Sequence, residues 1–509
     1  MSSVADHTLF VVNLPKVFWL VVVVFLACLV AGSWGLLFLA FILFPLIAFL
    51  DPKFFIKLGL MLMSFVHLFA EPNYTVNIPP QSLTMIQVIP AGAAFGQNYD
   101  EVILVGALVV ILSNMVQIKK INVPGLIGWV LASILVMSAS ALINQISPSI
   151  LLNYFTSYQR FPVFVLAFLV VPHWTIEELS DLRNLAFLIC LPIQVVAGLF
   201  QNLGNLASGS VVLIDGLTGT FNYPFGDWST MFVTIGMIYA LCRLMTRYQA
   251  AYGLWFLFGL LYLLSAQQNL STLMAFGIFC VVIVYFLFLR RRTMSDRFRL
   301  VLRIGAVFLV MIAGFAIIGE LISTTDNVDV VTTLTGYFSA KLVQQQTILG
   351  ISPKILTYLN LSDLFSTGAI NPLWGAGPAM FLSGLALYNF GGPLTAQYSS
   401  AAQIESIFGG TGRGDLMENN IVAFGGELGM IGLLAMYMPF VSIIRHLRKR
   451  RTIDRKLGSE LMTEWVTFSL IFFIVYSSLL LMFEVQPLVF LLALMCGIAI
   501  RSLDLEART

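Results

Sequence analysis

Between Val123 and Ile143 the chain reads VPGLIGWVLASILVMSASALI, 21 residues without a charged side chain. The bilayer core offers no water to backbone N–H and C=O groups, so a crossing segment must pair them internally, and a helix of roughly 20 mostly apolar residues does so. This stretch meets that length and predicts a membrane-spanning helix. Runs of the same kind recur along the chain, near 16–32, 34–50, 56–70, 101–117, 153–172, 183–202, 228–246, 251–266, 271–289, 301–319, 429–444, 462–482 and 485–501. With 123–143 they amount to about 12–14 spans, the short 56–70 run and the closely spaced first pair setting the uncertainty in the count.

Composition supports the same class. Of 509 residues, 59% are apolar and 10% charged, and the mean hydropathy is +0.92, far beyond what a water-soluble globule covers with polar surface. The net charge of +2 provides no global basic field for nucleic acid, so no nucleic-acid partner is expected. The five cysteines (Cys28, Cys190, Cys242, Cys280 and Cys496) lie apart within apolar runs, without the spacing of a metal site. Neither a metal nor a cofactor is expected. The early apolar run lacks a small-residue cleavage site and reads as a retained first helix.

Basic residues gather in the short loops on the cytoplasmic face of a membrane protein. If every run spans, Lys119 and Lys120, Arg243 and Arg247, Arg290–Arg292 with Arg297 and Arg299, and the 445–456 cluster fall on one side. Both termini are then cytoplasmic, and the clusters act as topology signals and anchors for anionic membrane lipid. The expected fold is an all-α polytopic integral membrane protein with a long, partly helical periplasmic loop. Its parts are N-terminal spans in 1–319, the loop in 320–428 and C-terminal spans in 429–509, forming one membrane domain.

A loop far above about 15 residues is commonly functional. This one carries helix-like stretches at 330–349 and 352–366, then Pro372-Leu373-Trp374-Gly375-Ala376-Gly377-Pro378, and later Arg413-Gly414-Asp415-Leu416-Met417-Glu418-Asn419-Asn420. Gly425-Gly426-Glu427-Leu428-Gly429-Met430-Ile431-Gly432 follows and opens a span. Charges at a membrane boundary need water or mutual pairing. Arg413, Asp415, Glu418 and Glu427 are therefore either solvated loop charges beside a helix that starts at Asn419 or Asn420, or an active site at the mouth of an intramembrane cavity. An arginine among glycine-rich backbone N–H groups suits a phosphate or pyrophosphate, and a nearby carboxylate suits proton abstraction from a hydroxyl. Arg160 falls within a predicted span, where it is either a functional cation or a snorkelling anchor.

Three segments resemble the O-antigen ligase and polymerase superfamily, enzymes that transfer bacterial glycans from polyprenyl-pyrophosphate carriers. Gly375-Ala376-Gly377 with Phe381 is similar to the superfamily's small GxG stretch in its periplasmic loop. Glu418-Asn419 before Glu427-Leu428-Gly429-Met430-Ile431-Gly432 is similar to its His-Asn followed by Glu-x-Gly-x-x-Gly. Thr218-Gly219-Thr220-Phe221-Asn222-Tyr223-Pro224 resembles its Gly-Thr-Phe-x-x-Pro-Asn turn. Glu418 stands at the histidine position, Phe225 follows the proline, and Gln267-Gln268-Asn269 replaces a Ser-Arg pair, departures that favour a polymerase over a ligase.

The resemblance implies metal-independent inverting transfer of a growing glycan from a polyprenyl-pyrophosphate carrier to a lipid-linked acceptor sugar. Arg413 would stabilise the departing pyrophosphate and Glu418 would act as base, the two catalytic candidates. Asn419, Asn420, Asp415, Arg160, Gln268 and Asn222 are the candidate substrate-binding residues. The implied location is the bacterial inner membrane with a periplasmic active face, and the implied partners are the lipid-linked oligosaccharide, membrane lipid and other polysaccharide export and assembly proteins. A ligase, a flippase for lipid-linked saccharide and a non-catalytic export scaffold are the alternatives. The absence of a visible internal repeat weighs against the flippase.

Overall fold

The computed structural model describes residues 37–69, 93–119, 121, 123–207, 220–221, 226–246, 250–265, 269–289, 305, 353–383, 385–386, 394, 419–451 and 459–506. Among them the architecture is all-helical, with no strand. Five helices are long and apolar enough to cross a membrane: Leu126–Ile143, Ile176–Gln201, Trp228–Thr246, Asn420–Arg450 and Gln486–Leu505. Shorter apolar helices include Leu37–Leu50, Arg160–Val170, Ala251–Leu263, Met274–Phe288 and Leu461–Tyr476. The expected span 16–32, the span 301–319 apart from Gly305, and the helix-like stretch 330–349 lie outside the described residues, whereas 352–366 is matched by Pro353–Ser366.

The chain divides into two compact units, Met1–Ser113 and Asn114–Thr509. In the first, Asp51 separates helix 37–50 from Pro52–Phe69 and caps the latter, its Oδ1 accepting the Phe54 N–H at 3.0 Å. Gly106 of Ala93–Ser113 lets that helix close on the Phe55 ring, where an added Cβ would stand 2.4 Å from a ring carbon.

In the second unit, helices Leu126–Ile143 and Asn420–Arg451 run antiparallel. Gly125, at the start of one, faces Ser442 near the end of the other, while Ser140 reaches the Glu427 carbonyl at 3.1 Å. Arg160–Val170 runs alongside Gln486–Glu506 in the same direction. Phe164 meets Phe490, Phe168 lies over Gly497, and the Arg501 guanidinium donates to the carbonyls of Leu169 and Val171, satisfying helix-end acceptors that would otherwise be orphaned. These pairings define two ends. At one stand Asn144, residues 371–383, Asn419–Glu427 and the 477–485 turn; at the other stand Gly125, residues 171–174, and the cations Arg445, Arg448, Lys449, Arg450 and Arg501. The separation follows the segregation of basic residues visible in the sequence.

Several spans differ from expectation: Ala93–Ser113 starts eight residues before the expected 101, and Ile176–Leu188 seven before the expected 183. The 153–172 run is two helices, Pro148–Tyr158 and Arg160–Val170, separated by a bend at Gln159 (φ −94°, ψ 7°). The helix expected to start at 429 starts at Asn420, and position 429 is instead a break within it.

Candidate functional site

A glutamate inside an apolar helix is costly unless the fold supplies donors. Glu427, fully buried, receives them from the backbone of residues 379–383. Ala379 N–H donates to Oε2 at 3.2 Å, while Phe381 and Ser383 N–H donate to Oε1 at 3.2 and 2.9 Å. Convergent backbone amides of this kind form an anion-holding nest. Here the anion is part of the chain.

The helix is broken two residues later. Gly429 has φ 70° and ψ −176°, a combination essentially restricted to glycine. The break frees backbone groups, and residues 372–377 take them up. Met430 N–H donates to the Pro372 carbonyl at 2.8 Å, and the Gly426 and Glu427 carbonyls accept from Ala376 N–H (2.7 Å) and Gly377 N–H (2.9 Å). Ser140 Oγ donates to the Trp374 carbonyl at 2.6 Å, so Leu126–Ile143 holds the same loop from its other side. Non-helical backbone at membrane depth is tolerated under this condition, with its polar groups buried in protein. The approach is tight: a Cβ at Gly375 (φ 70°) would lie 2.3 Å from the Glu427 carbonyl carbon, and one at Gly429 would lie 2.2 Å from that of Leu373.

Beneath the loop, an apolar cluster of Leu361, Leu364, Ile370, Phe381, Leu382 and Val422 joins Pro353–Ser366 to the first turns of Asn420–Arg451. Asn419 caps the latter helix, its Oδ1 accepting the Val422 N–H at 2.9 Å, and its Nδ2 donates to Thr357 Oγ1 at 3.4 Å. Asn420 ties the helix to the neighbouring turn: its N–H donates to the Ser477 carbonyl at 3.0 Å, and its Oδ1 accepts from Phe483 N–H at 3.0 Å. Tyr358 donates to the Ser478 carbonyl at 2.6 Å, and Tyr437 pairs with Ser477 Oγ at 2.7 Å.

Of the expected site residues, the structure brings Asn419 and Asn420 to this end, the two positions that follow Glu418 in the chain. Both have structural duties there. Arg160 is 3% exposed and follows the bend at Gln159. Gln159 accepts from Ser133 Oγ at 3.2 Å and turns its amide toward the sulfurs of Met137 and Met436, each at 3.6 Å. Arg160 thus belongs to the bundle interior, next to a glutamine held by mid-helix residues. Arg413, Asp415, Glu418, Gln268 and Asn222 lie outside the described residues. In the third motif, Thr220 is bonded on both sides by Gln194, whose Nε2 donates to Oγ1 at 2.7 Å and whose Oε1 accepts the Thr220 N–H at 2.9 Å. Phe221 packs edge-on against Trp228 and Phe232.

The sequence groups Glu427 with Arg413, Asp415 and Glu418 as a charged cluster but assigns it no role of its own. The signal was present: a carboxylate inside an apolar run requires an internal partner. With both oxygens holding backbone amides, it is a positioning residue that shapes the loop and is poorly suited to taking a proton from a hydroxyl. No family model matches the chain, and none of the curated proteins matches it.

Proposed function

We propose that this protein is a membrane-embedded polysaccharide polymerase that moves a growing glycan from a polyprenyl-pyrophosphate carrier to a lipid-linked acceptor sugar. The observation that carries the reading is the seating of the Gly375-Ala376-Gly377 loop on the Glu427-x-Gly429 break. Two of the three segments that resemble the O-antigen ligase and polymerase superfamily, whose contacting residues Ala379 and Glu427 are 48 positions apart, are one packed unit. Their meeting at the end opposite the basic clusters supports a periplasmic active face in a bacterial inner membrane.

In this reading the acceptor hydroxyl attacks the anomeric carbon from the face opposite the pyrophosphate. The anomeric C–O bond breaks with its electron pair passing to the pyrophosphate oxygen, and Glu418 takes the hydroxyl proton. Arg413 stabilises the charge that accumulates on the leaving group, an effect worth about 10²–10³ in rate for a single preorganised donor. A base in the Glu418 role contributes about 10²–10⁴. Asp415, Asn222 and Gln268 contact the saccharide or its carrier.

The test is elongation of lipid-linked repeat units, prepared from the source cells, by protein purified into nanodiscs. Lengthened chains are expected from the wild type, with Arg413→Ala and Glu418→Gln slowed by at least about a hundredfold. Transfer of a finished chain to a lipid A-type acceptor without elongation would identify a ligase instead. Movement of unreacted carrier across the bilayer, with no new glycosidic bond, would identify a flippase.

A further inference from the structure

Where two helices run antiparallel, contacts that climb one descend the other, so two contacts fix the pairing of the turns beyond them. Trp228–Thr246 and the first part of Ile176–Gln201 pair in this way. A Cβ at Gly236 would lie 2.6 Å from that of Leu191, and one turn on, the rings of Phe187 and Tyr239 stand 5.0 Å apart. A further turn, four residues up one helix and four down the other, sets Arg243 opposite Arg183. Tyr252, at the start of Ala251–Leu263, closes the third side. Its ring centre is 5.5 Å from that of Phe187 and 5.5 Å from Arg243 Cζ, and the charges of both arginines act on its hydroxyl. Both arginines are partly exposed, and Ile176–Gln201 begins just after residues 171–174, so the pair stands toward the end that carries the basic clusters.

Neither arginine is in an ion pair among the described residues. Arg243 Nε and Nη2 donate to the Tyr239 hydroxyl at 3.0 and 2.9 Å, which fixes the guanidinium and leaves its Nη1 without an acceptor among those residues. Arg183 donates from Nε and Nη2 to Asn184 Oδ1 and from Nη2 to Ser180 Oγ, neutral groups of its own helix, and its Nη1 is likewise unused. No acid lies three or four residues from Arg183 in either direction, and Asp181, two residues away, projects from nearly the opposite side of the helix. At the same end the fold does pair another cation, Arg450 meeting Asp504 at 2.5 Å. Facing like charges without a counter-ion are destabilising, and two guanidinium forks with unused edges have the geometry that grips a phosphate through charge-assisted bonds.

We infer that Arg183 and Arg243 form a binding site for the phosphate of an anionic phospholipid drawn from the surrounding membrane. The neighbouring surface favours a lipid over free phosphate. Trp255 and Phe258 follow Tyr252 at three-residue steps along one helix face, their rings 5.9 Å apart, and Phe258 is 44% exposed. With Leu254, 56% exposed, they offer an acyl chain an apolar track that leads away from the arginines. A headgroup carrying its own ammonium would bring a third cation to the pair, so a net negative headgroup fits best. The exposed Arg445 and Arg448 supply a diffuse field, whereas this site has two cations in register and one of them clamped by a tyrosine.

The test is native mass spectrometry of the full-length protein in a neutral detergent, titrated with dioleoyl phosphatidylglycerol or dioleoyl phosphatidylcholine. Wild type should hold its first phosphatidylglycerol at least about tenfold more tightly than phosphatidylcholine. Arg183→Gln and Arg243→Gln should each weaken that binding by about tenfold or more, whereas Arg448→Gln should change it by less than about twofold. Should Arg243→Gln fail to fold, Arg183→Gln and Arg243→Lys decide the matter, the lysine keeping the charge but lacking the fork and losing about threefold or more. Equal losses in Arg243→Gln and Arg448→Gln would overturn the site, as would unchanged binding in Arg183→Gln or equal affinity of wild type for the two lipids. Displacement of the bound phosphatidylglycerol by an equal concentration of inorganic phosphate would overturn the lipid assignment in favour of a free anion.

Discussion

Replacing Glu427 with alanine removes the acceptor for three buried N–H groups, those of Ala379, Phe381 and Ser383. A buried donor left without a partner costs about 1–3 kcal/mol, so the loop loses about 3 kcal/mol at the low end, which relaxation and entering water favour. Glutamine retains one oxygen, able to keep two of the bonds, but its amide nitrogen confronts a third N–H, for a loss of about 1–3 kcal/mol. The affected equilibrium is lifting of residues 371–383 from the helix break. It can be read by maleimide labelling of Leu382→Cys, a position fully buried under the loop, with the five native cysteines replaced by alanine. A loss of about 3 kcal/mol raises the open population, and with it the labelling rate, by about two decades, while Glu427→Gln gives about one. Equal labelling rates in wild type, Glu427→Gln and Glu427→Ala would refute the claim that the carboxylate holds the loop.

The remaining predictions concern the scaffold around that carboxylate. Gly429→Ala combines a backbone conformation that costs about 1–3 kcal/mol for a side-chain residue with a Cβ driven 2.2 Å from the Leu373 backbone, and should abolish recovery of monodisperse protein; normal yield and melting temperature would contradict the geometry. Asn419→Ala should lower stability by about 1 kcal/mol through loss of the cap, with Asn419→Ser restoring most of it in the same thermal melt. Tyr358→Phe removes the bond to Ser478 and should cost about 1 kcal/mol at neutral pH. Burial raises the Tyr358 hydroxyl above its ordinary pKa of 10, so this contribution is complete below pH 10 and is lost as pH climbs through the higher folded value. A wild-type-minus-Phe difference that vanishes already at pH 8 would contradict it.

Spans made of uninterrupted apolar runs were legible in sequence, because length and hydropathy suffice to recognise them. Leu126–Ile143 and Gln486–Glu506 lie close to where the pattern placed them. Elements whose polar groups are paired by distant segments were not. Residues 420–428, with an asparagine, two glycines and a glutamate, fall in the loop by the span pattern, yet they are helix because backbone amides 44 to 48 positions upstream hold the one carboxylate. The bend at Gln159 was hidden in the same way: its side chain settles on Ser133 and two methionine sulfurs that no local pattern announces. The pairing of the Gly375–Gly377 loop with Glu427 was implied by the resemblance only as an order of motifs along the chain. Their contact follows from hydrogen-bond demand, which only three-dimensional placement reveals.

The break at Gly429 also dictates an order of biogenesis. Residues 371–383 leave the ribosome before Asn420–Arg451 exists, so the amides that will hold Glu427 are made first and stay without their anion until the late helix inserts. That helix in turn brings a carboxylate and a gap in its own hydrogen-bonding ladder, both of which make it a poor substrate for autonomous partitioning into lipid. Insertion of this helix and closure of the loop are therefore one event, and a truncation that ends before Asn420 leaves the loop nothing to close upon.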